Sequence, residues 1–276
     1  MAQSIPADLK PFFSGQKLYG DDFSPAQIAE WYEEESEGYA NLGSKKHSEY
    51  TYGYHALNRI HGFRHLPHKG RFEHVLGFGA AWGHEFEPII DRIDRLTITD
   101  PSEKLRSEKI GNITPAYVKP RVDGKLDFPD NSFDLVTCFG TLHHIPNVTF
   151  VLSELVRVLK PGALLMLREP IISMGDWTGP RPGLTRNERG IPLAVFEAFF
   201  KNQDVMIIAR NPLFTMTFQM QKLFGKLLRK PLQTYVFYIR FDAFLSKLLL
   251  GNVRYHATRK IHRIAPSNIS YVVMKN

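Results

Sequence analysis

The sequence predicts an α/β fold built on a doubly wound, mostly parallel sheet of seven strands. Three stretches predict it. Leu126–Pro170 reads as strand, turn, helix, turn and strand. Glu73–Gly83 reads as an apolar strand breaking into a glycine-containing turn, and Leu96–Asp100 as a second apolar strand ending in an acid. Buried parallel strands joined by a helix form a βαβ unit, and ligands in such sheets sit at the strands' carboxyl ends. The chemistry is therefore sought at Gly77–Gly83, Asp100, Gly140–His144 and Arg168–Pro170.

The elements follow in order. Ser24 is placed to cap a helix to about Glu35, with Pro25 in the first turn and Gln27 completing a capping box. A second helix is expected over Glu49–His61; Tyr50, Tyr52 and Tyr54 at its start either line a ligand mouth or pack the cap onto the sheet. His61, His65 and His68 have ligand-like spacing but sit beside Arg64 and Lys69 without a nearby carboxylate or thiol, so no metal is expected. After the strand from Glu73, a helix is expected over His84–Ile93, then strands over Leu96–Thr99 and, edge-like, Pro115–Pro120. Phe133–Gly140 is the fourth strand, an apolar run suited to burial. Val148–Leu159 carries Val148, Leu152, Leu155, Val156 and Leu159 on one helical stripe, and Lys160-Pro161-Gly162 is helix-stop chemistry. Ala163–Leu167 is the fifth strand, Ile191–Phe200 a helix, Val205–Ala209 the sixth strand and Ser270–Met274 the last.

The composition, 43% hydrophobic and 23% charged over 276 residues, provides for a sizeable core. No run of about eighteen apolar residues appears, and the N-terminus lacks a basic-then-apolar signal pattern, so a cytoplasmic protein is expected. The one cysteine, Cys138, excludes an intramolecular disulfide and falls in the fourth strand as a core thiol. The net charge of +7 is uneven: residues 201–276 hold thirteen Lys/Arg against Asp204 and Asp242, while the remainder is net acidic. Such asymmetry marks either an anionic partner for the C-terminal part or simple solvation.

About sixty residues separate the last two strands. Met216–Lys230 places Met216, Met220, Leu223, Phe224, Leu227 and Leu228 on one helical face and Lys222, Lys226, Arg229 and Lys230 off it; Tyr235–Leu250 repeats the pattern with Arg240 and Lys247. These basic amphipathic segments either pack as a hairpin, form a homodimer interface, or let residues 214–250 contact an anionic membrane surface peripherally. The division expected is a helical cap over 1–70, a core over 71–212 and 265–276, and a helical insertion over 213–264.

Phe133-Asp134-Leu135-Val136, then Leu142-His143-His144, then Arg157-Val158-Leu159-Lys160-Pro161-Gly162 entering the fifth strand resembles the second half of a class I S-adenosylmethionine-dependent methyltransferase. Ala163 stands at the family's usual second glycine. The likeness covers roughly Glu73–Pro170. The family's first motif is Val-Leu-Asp-x-Gly-x-Gly-x-Gly; Gly79 and Gly83 match its first and third glycines, while Gly77 replaces the acid and Ala81 the middle glycine. The resemblance implies a Rossmann-like methyltransferase fold with a reversed last strand beside strand five. It also implies S-adenosyl-L-methionine as cofactor, lying across Gly77, Gly79, Ala81 and Gly83. Asp100 suits the ribose hydroxyls, being an acid about twenty residues beyond the loop. Phe139, Gly140 and Thr141 are expected on the methionine side, and Asp123 at the adenine amine.

Methyl transfer from a sulfonium is an in-line displacement that, for a hydroxyl acceptor, also needs a proton removed. His143 and His144, beside the expected methyl position, are candidate bases; Glu169 is the alternative, accepting a hydrogen bond or orienting a histidine. The loop over residues 173–190 combines Trp177, Asp176, Arg181, Arg186 and Arg189, which suits either a polyhydroxylated ligand or a plain surface loop. The expected function is methylation of a hydroxyl on a polar small-molecule or glycan acceptor, sugar-containing or lipid-linked. N- or C-methylation of a small metabolite, or a catalytically weak binding subunit, are the alternatives. Nucleic acid is not expected as a partner, because the target-base motif Asn/Asp-Pro-Pro-aromatic is missing at strand four.

Overall fold

A computed structural model describes residues 5–38, 41, 50–225 and 227–276. The sheet has seven strands: β1 Phe72–Phe78, β2 Ile93–Thr99, β3 Ala116–Val118, β4 Phe133–Phe139, β5 Leu159–Pro170, β6 Val205–Leu213 and β7 Asn268–Lys275. Their order is β3-β2-β1-β4-β5-β7-β6. The first five run parallel, and β7 is inserted antiparallel between β5 and β6. The doubly wound α/β architecture is as the sequence predicts, and the reversed last strand is as the family resemblance implies.

Two apolar layers sandwich the sheet. On one face the helix Val148–Val158 buries Val148, Val151, Leu152 and Leu155 against Val136, Leu165 and Val273, and the helix Leu193–Lys201 adds Phe196 and Phe200. On the other, Phe86, Ile89 and Ile90 cover Val75, Ile98 and Leu135. Both faces being covered explains why these strands read as continuous apolar runs. The helix Pro25–Glu35 carries the expected capping box, Gln27 N–H donating to Ser24 and the Gln27 side chain accepting from the Ser24 backbone.

Three boundaries differ from the sequence reading. The segment after the glycine loop forms 3-10 turns over His84–Arg92 rather than an α-helix, because Pro88 sits inside it and removes a donor. The second helix is His55–His61, starting beyond the tyrosines, whose alternation belongs to non-helical chain. Lys160-Pro161-Gly162 does end the preceding helix at Val158, but β5 already begins at Leu159 and absorbs the stop as a register shift opposite Phe133–Leu135. The expected helix start at Glu49 and the insertion's Lys226 lie outside the described residues.

The fully buried Arg189 fixes the turn at the carboxyl end of β4 to the rest of the chain. Its guanidinium donates to the carbonyls of Tyr19 (2.9 Å), His143 (3.2 Å), Ile145 (2.8 Å) and Pro146 (3.0 Å) and lies over the Trp31 ring at 5.0 Å. Four carbonyls in a water-poor interior each need a donor. Arg189→Ala is expected to lower unfolding free energy by about 3 kcal/mol, since the carbonyls of Tyr19 and Ile145 lose their donor while those of His143 and Pro146 keep only their backbone donors, the N–H groups of residue 189 and Val148. Urea denaturation measures this, and a loss within about 0.5 kcal/mol would show the anchor to be dispensable.

Candidate active site

The carboxyl ends of β1, β2 and β4 open into one pocket. Gly79 and Ala81 form its floor, Asp100 and Ser102 one end, and Phe139, Gly140, Thr141 and His144 the other. Trp31, Tyr32 and Glu35 from the helix Pro25–Glu35 close over it, together with Tyr50 and Tyr52. Tyr50 and Tyr52 line the pocket, whereas Tyr54 lies against Arg168, its ring 4.4 Å from the guanidinium carbon.

Gly79 is required by both conformation and space: its φ is +65°, and a Cβ there would lie 2.1 Å from Thr141 Cγ2. Ala81, at the family's middle glycine, nevertheless takes φ +47°, a left-handed conformation that costs a side-chain-bearing residue about 1–2 kcal/mol. Tertiary contacts hold it there. Its N–H donates to Asp100 Oδ2 at 3.0 Å and its carbonyl accepts from Tyr117 Oη at 2.9 Å. Asp100 Oδ1 also accepts from Ser102 N–H at 3.0 Å. Burial pushes the Asp100 carboxyl up to about 6, opposed by these two backbone donors.

Gly83 and Gly77 stand apart from the pocket lining. Gly83 packs on Ile110, whose Cδ1 would be 2.2 Å from an added Cβ, so it serves the core. Gly77 has the Phe86 ring against it, 2.8 Å from an added Cβ, so this strand position has no room for the family's acid. A different acid enters instead. Glu85, buried and lining the pocket, accepts a 2.5 Å bond from Thr137, the residue paired with Gly77 across the β1–β4 ladder. Burial pushes Glu85 up to about 7, against the Thr137 bond and the Arg168 charge. Its only advance signal was an acid in the first turn after a loop that had lost one.

The histidine pair divides its tasks. His143 Nδ1 faces Glu169 Oε2 at 2.7 Å and its Nε2 faces Glu188 Oε1 at 3.5 Å. Burial alone would lower its pKa, but the two carboxylates outweigh burial and raise it to about 9. His143 is thus a buried cation, which corrects its candidacy as base. Glu169 is also withdrawn from the pocket: its Oε1 accepts from Thr141 N–H at 2.8 Å and Leu142 N–H at 2.9 Å, so it shapes the turn after β4. His144 does line the pocket. Its Nδ1 lies 3.1 Å from Glu35 Oε2 and 3.2 Å from Thr185 Oγ1, and burial followed by the His143 charge lowers its pKa. His143, His144 and Glu188 bring ligating atoms within 4.8 Å of one another.

Other expected residues are placed elsewhere. Asp123 is ion-paired with Arg121 (2.9 Å), and although its neighbours Val122 and Gly124 line the pocket, its own carboxylate faces solvent. The adenine assignment is corrected on that ground. Trp177 is buried and stacked on Phe13 with ring centroids 4.0 Å apart. Arg181 donates to carbonyls of its own loop, and Arg189 is the anchor described above. Trp177, Arg181 and Arg189 are thus engaged within the protein, whereas Asp176 is exposed and Arg186 pairs with Glu34 at the surface.

The His143 arrangement has a pH consequence. A folded-state pKa raised from 6.5 to about 9 contributes stability that is full below pH 6.5 and is lost as pH rises through 9. The stability margin of the wild type over His143→Gln is expected to shrink by up to about 3 kcal/mol between those pH values. Denaturation curves at pH 6 and pH 9 check it; a margin that grows with pH reverses the sign.

Residues 76–167 match the family profile described as a methyltransferase domain. The chain is 33% identical over 94 residues to the ubiquinone/menaquinone biosynthesis C-methyltransferase UbiE of Shewanella pealeana, covering 31% of this chain and 36% of that protein. It thus spans about a third of the length of the curated relatives it matches. Among solved structures, the Haemonchus contortus phosphoethanolamine N-methyltransferase 2, complexed with phosphomonomethylethanolamine and S-adenosylhomocysteine, superposes with a TM-score of 0.54 at 14% identity, covering 94% of this chain and 61% of that one. The [4+2]-cyclase SpnF superposes at 0.53 and 14% identity over 92% and 97%. At such identity these two share the fold.

Proposed function

We propose that this chain, which belongs by its fold and its domain over residues 76–167 to the class I S-adenosylmethionine-dependent methyltransferases, methylates the hydroxyl of an acceptor held in an aromatic pocket. The observation that carries the proposal is His144, a neutral histidine lining the pocket beside Thr141 and backed by the Glu35 carboxylate. When bound, the cofactor supplies an electrophilic methyl group on a sulfonium. Every other requirement falls to the chain's own residues.

The donor set fits that cofactor. Asp100 offers carboxylate oxygens to ribose hydroxyls, and the loop at Gly79 brings backbone close without a side chain in the way. Glu85 lies toward β4, on the opposite side of β1 from Asp100, where it is suited to the α-ammonium of the methionine end. Glu35 facing His144 Nδ1 favours the tautomer protonated there, leaving the basic lone pair on Nε2. Nε2 takes the acceptor's proton and the Glu35 carboxylate stabilises the imidazolium that forms, as a buried acid does behind a catalytic histidine.

The lining favours an acceptor with an apolar ring over a free sugar. Trp31, Tyr50, Tyr52, Trp82 and Phe139 line the pocket, while no charged residue of the 173–190 loop is among its lining: Arg181 and Arg189 bond to backbone carbonyls, Arg186 pairs with Glu34, and Asp176 is exposed. A second reading has a specific support. The match to a C-methyltransferase fits a ring whose deprotonated hydroxyl is nucleophilic at carbon as well as at oxygen. The same base serves both, and carbon-13 NMR of the product separates an O-methyl from a C-methyl.

Calorimetry with S-adenosylhomocysteine and 5′-methylthioadenosine, which lacks the amino-acid end, tests the cofactor site. Glu85→Gln is expected to weaken S-adenosylhomocysteine by about 10–100-fold, the worth of a charge-assisted bond, and to leave methylthioadenosine unchanged. Equal losses for both ligands would remove the ammonium assignment, and no heat with the wild type would favour the binding-subunit alternative.

His144→Ala is expected to lower turnover by about 10²–10⁴-fold with S-adenosylhomocysteine affinity nearly unchanged. Because its pKa is lowered from 6.5, wild-type turnover should be flat from pH 7 to 8 and fall only in more acidic solution. Near-normal turnover in the variant, measured by methyl transfer to a phenolic acceptor panel, would exclude His144 as the base.

A further inference from the structure

The helix Val236–Leu248 between β6 and β7 is turned against its own amphipathicity. Its inward face consists of Ile239, Asp242 and Ser246. Asp242 accepts from Phe214 N–H (2.6 Å), Thr215 N–H (3.1 Å) and Thr217 Oγ1 (3.2 Å), and Ser246 pairs with Thr215 Oγ1 at 2.8 Å. The outward stripe is Phe237, Phe241, Phe244 and Leu248, spaced i, i+4, i+7 and i+11. A neighbouring helix, Thr217–Phe224, joins it through the Thr217–Tyr238 hydroxyl contact at 3.0 Å. That helix and the turn after it add Phe218, Leu223 and Leu227. Phe218, Leu223, Leu227, Phe237, Phe244 and Leu248 are each between 60% and 85% exposed. Single exposed apolar residues need no explanation, but a joined patch of phenylalanine and leucine marks an interface.

Charge selects the occupant. Lys222, Arg229, Lys230, Arg240 and Lys247 surround the stripe and are all exposed. From Val205 to Asn276 the sequence holds one acid, Asp242, and it is buried. A second copy docking by two-fold symmetry would set these cations against themselves, because both partners then present the same patch. An anionic bilayer complements both features, its headgroups meeting the cations and its acyl boundary the aromatic stripe. Among the described residues no helix is long and apolar enough to cross a membrane, so the contact lies in the plane of the interface.

We propose that Thr217–Leu248 is a docking surface for anionic lipid bilayers. The surface adjoins the pocket wall. A Cβ added to Gly53 would lie 3.7 Å from Gln233 Nε2 and 4.0 Å from Pro231, and Gly53 is flanked by the segment carrying Tyr50 and Tyr52. Docking thus sets the pocket beside the lipid, within reach of an apolar acceptor dissolved there.

Vesicle sedimentation of the whole chain tests this without reference to methyl transfer. Vesicles of phosphatidylcholine alone are compared with vesicles containing about one-third phosphatidylglycerol, at about 0.1 M and 0.5 M salt. The wild type should bind the anionic vesicles at least about tenfold better than the neutral ones, with the difference shrinking at high salt. Phe237→Ser/Phe244→Ser and, separately, Lys222→Glu/Arg229→Glu/Lys230→Glu should each cut anionic binding about tenfold or more while melting as the wild type does, their sites being exposed. Binding to neither vesicle, or equal and salt-independent binding to both, overturns the proposal. So does a dimer in analytical ultracentrifugation that Phe237→Ser/Phe244→Ser abolishes.

Discussion

A positive charge buried between two negative ones organises the catalytic edge of this molecule. His143 sits at the end of β4, Glu169 at the end of β5 and Glu188 in the loop beyond, so one protonated imidazole ties together three segments distant in sequence. Each carboxylate would be costly to bury alone; with the imidazolium between them all three are tolerated. Glu169 spends its other oxygen on the Thr141 and Leu142 amides, which fixes the turn that aims His144 into the pocket. Arg189, the residue directly after Glu188, clamps the carbonyls of the same turn. Two adjacent histidines thereby have their pKa values moved in opposite directions, His143 up between its two carboxylates and His144, the proposed base, down.

The fold was legible because apolar period and punctuation agree. Strands covered on both faces leave short, mostly apolar runs over the buried parts of β1, β2, β4 and β5, and Ser24 with Gln27 announces its helix by side-chain chemistry that acts within one turn. The site was legible only where backbone geometry dictates residue type, as at Gly79, or where an acid ends a strand, as at Asp100. Roles decided by long-range pairing were not. Whether Glu169 faces a substrate or a histidine depends on Glu188 and the loop that carries it, and nothing local records that. Asp123 failed for a local reason instead: its carboxylate pairs with Arg121 two residues before it and stays on the surface. Trp177 and Arg181 looked like ligand chemistry because buried loop packing uses the same residue types.

Where the chain departs from its family's first motif, the structure supplies a local substitute. The strand position of the acid is closed by the Phe86 ring, and Glu85, the residue just before that ring, carries a carboxylate to Thr137 on the neighbouring strand. The missing glycine is handled differently. Ala81 stays in the left-handed region that glycine would occupy freely, and the bonds to Asp100 and Tyr117 on either side of its peptide planes hold it there. The carboxylate that serves the loop is the one proposed for the ribose, so loop strain and cofactor affinity are coupled through Asp100.

The same economy explains the inverted helix. Asp242 and Ser246 face inward because the chain leaving β6 presents amides at Phe214 and Thr215 that no strand partner satisfies, and a helix bearing an acid there answers them. Once that face is committed to hydrogen bonds, the aromatic stripe has nowhere to go but outward. In water alone such an arrangement loses the burial of several large side chains, each worth about 1.5–3 kcal/mol when fully covered. A bilayer interface recovers part of that burial without requiring another protein, and it does so next to Tyr50 and Tyr52, where an apolar acceptor would enter. The polar inward face and the apolar outward face are then one solution to two demands, a satisfied backbone at the end of β6 and a lipid-facing surface beside the pocket.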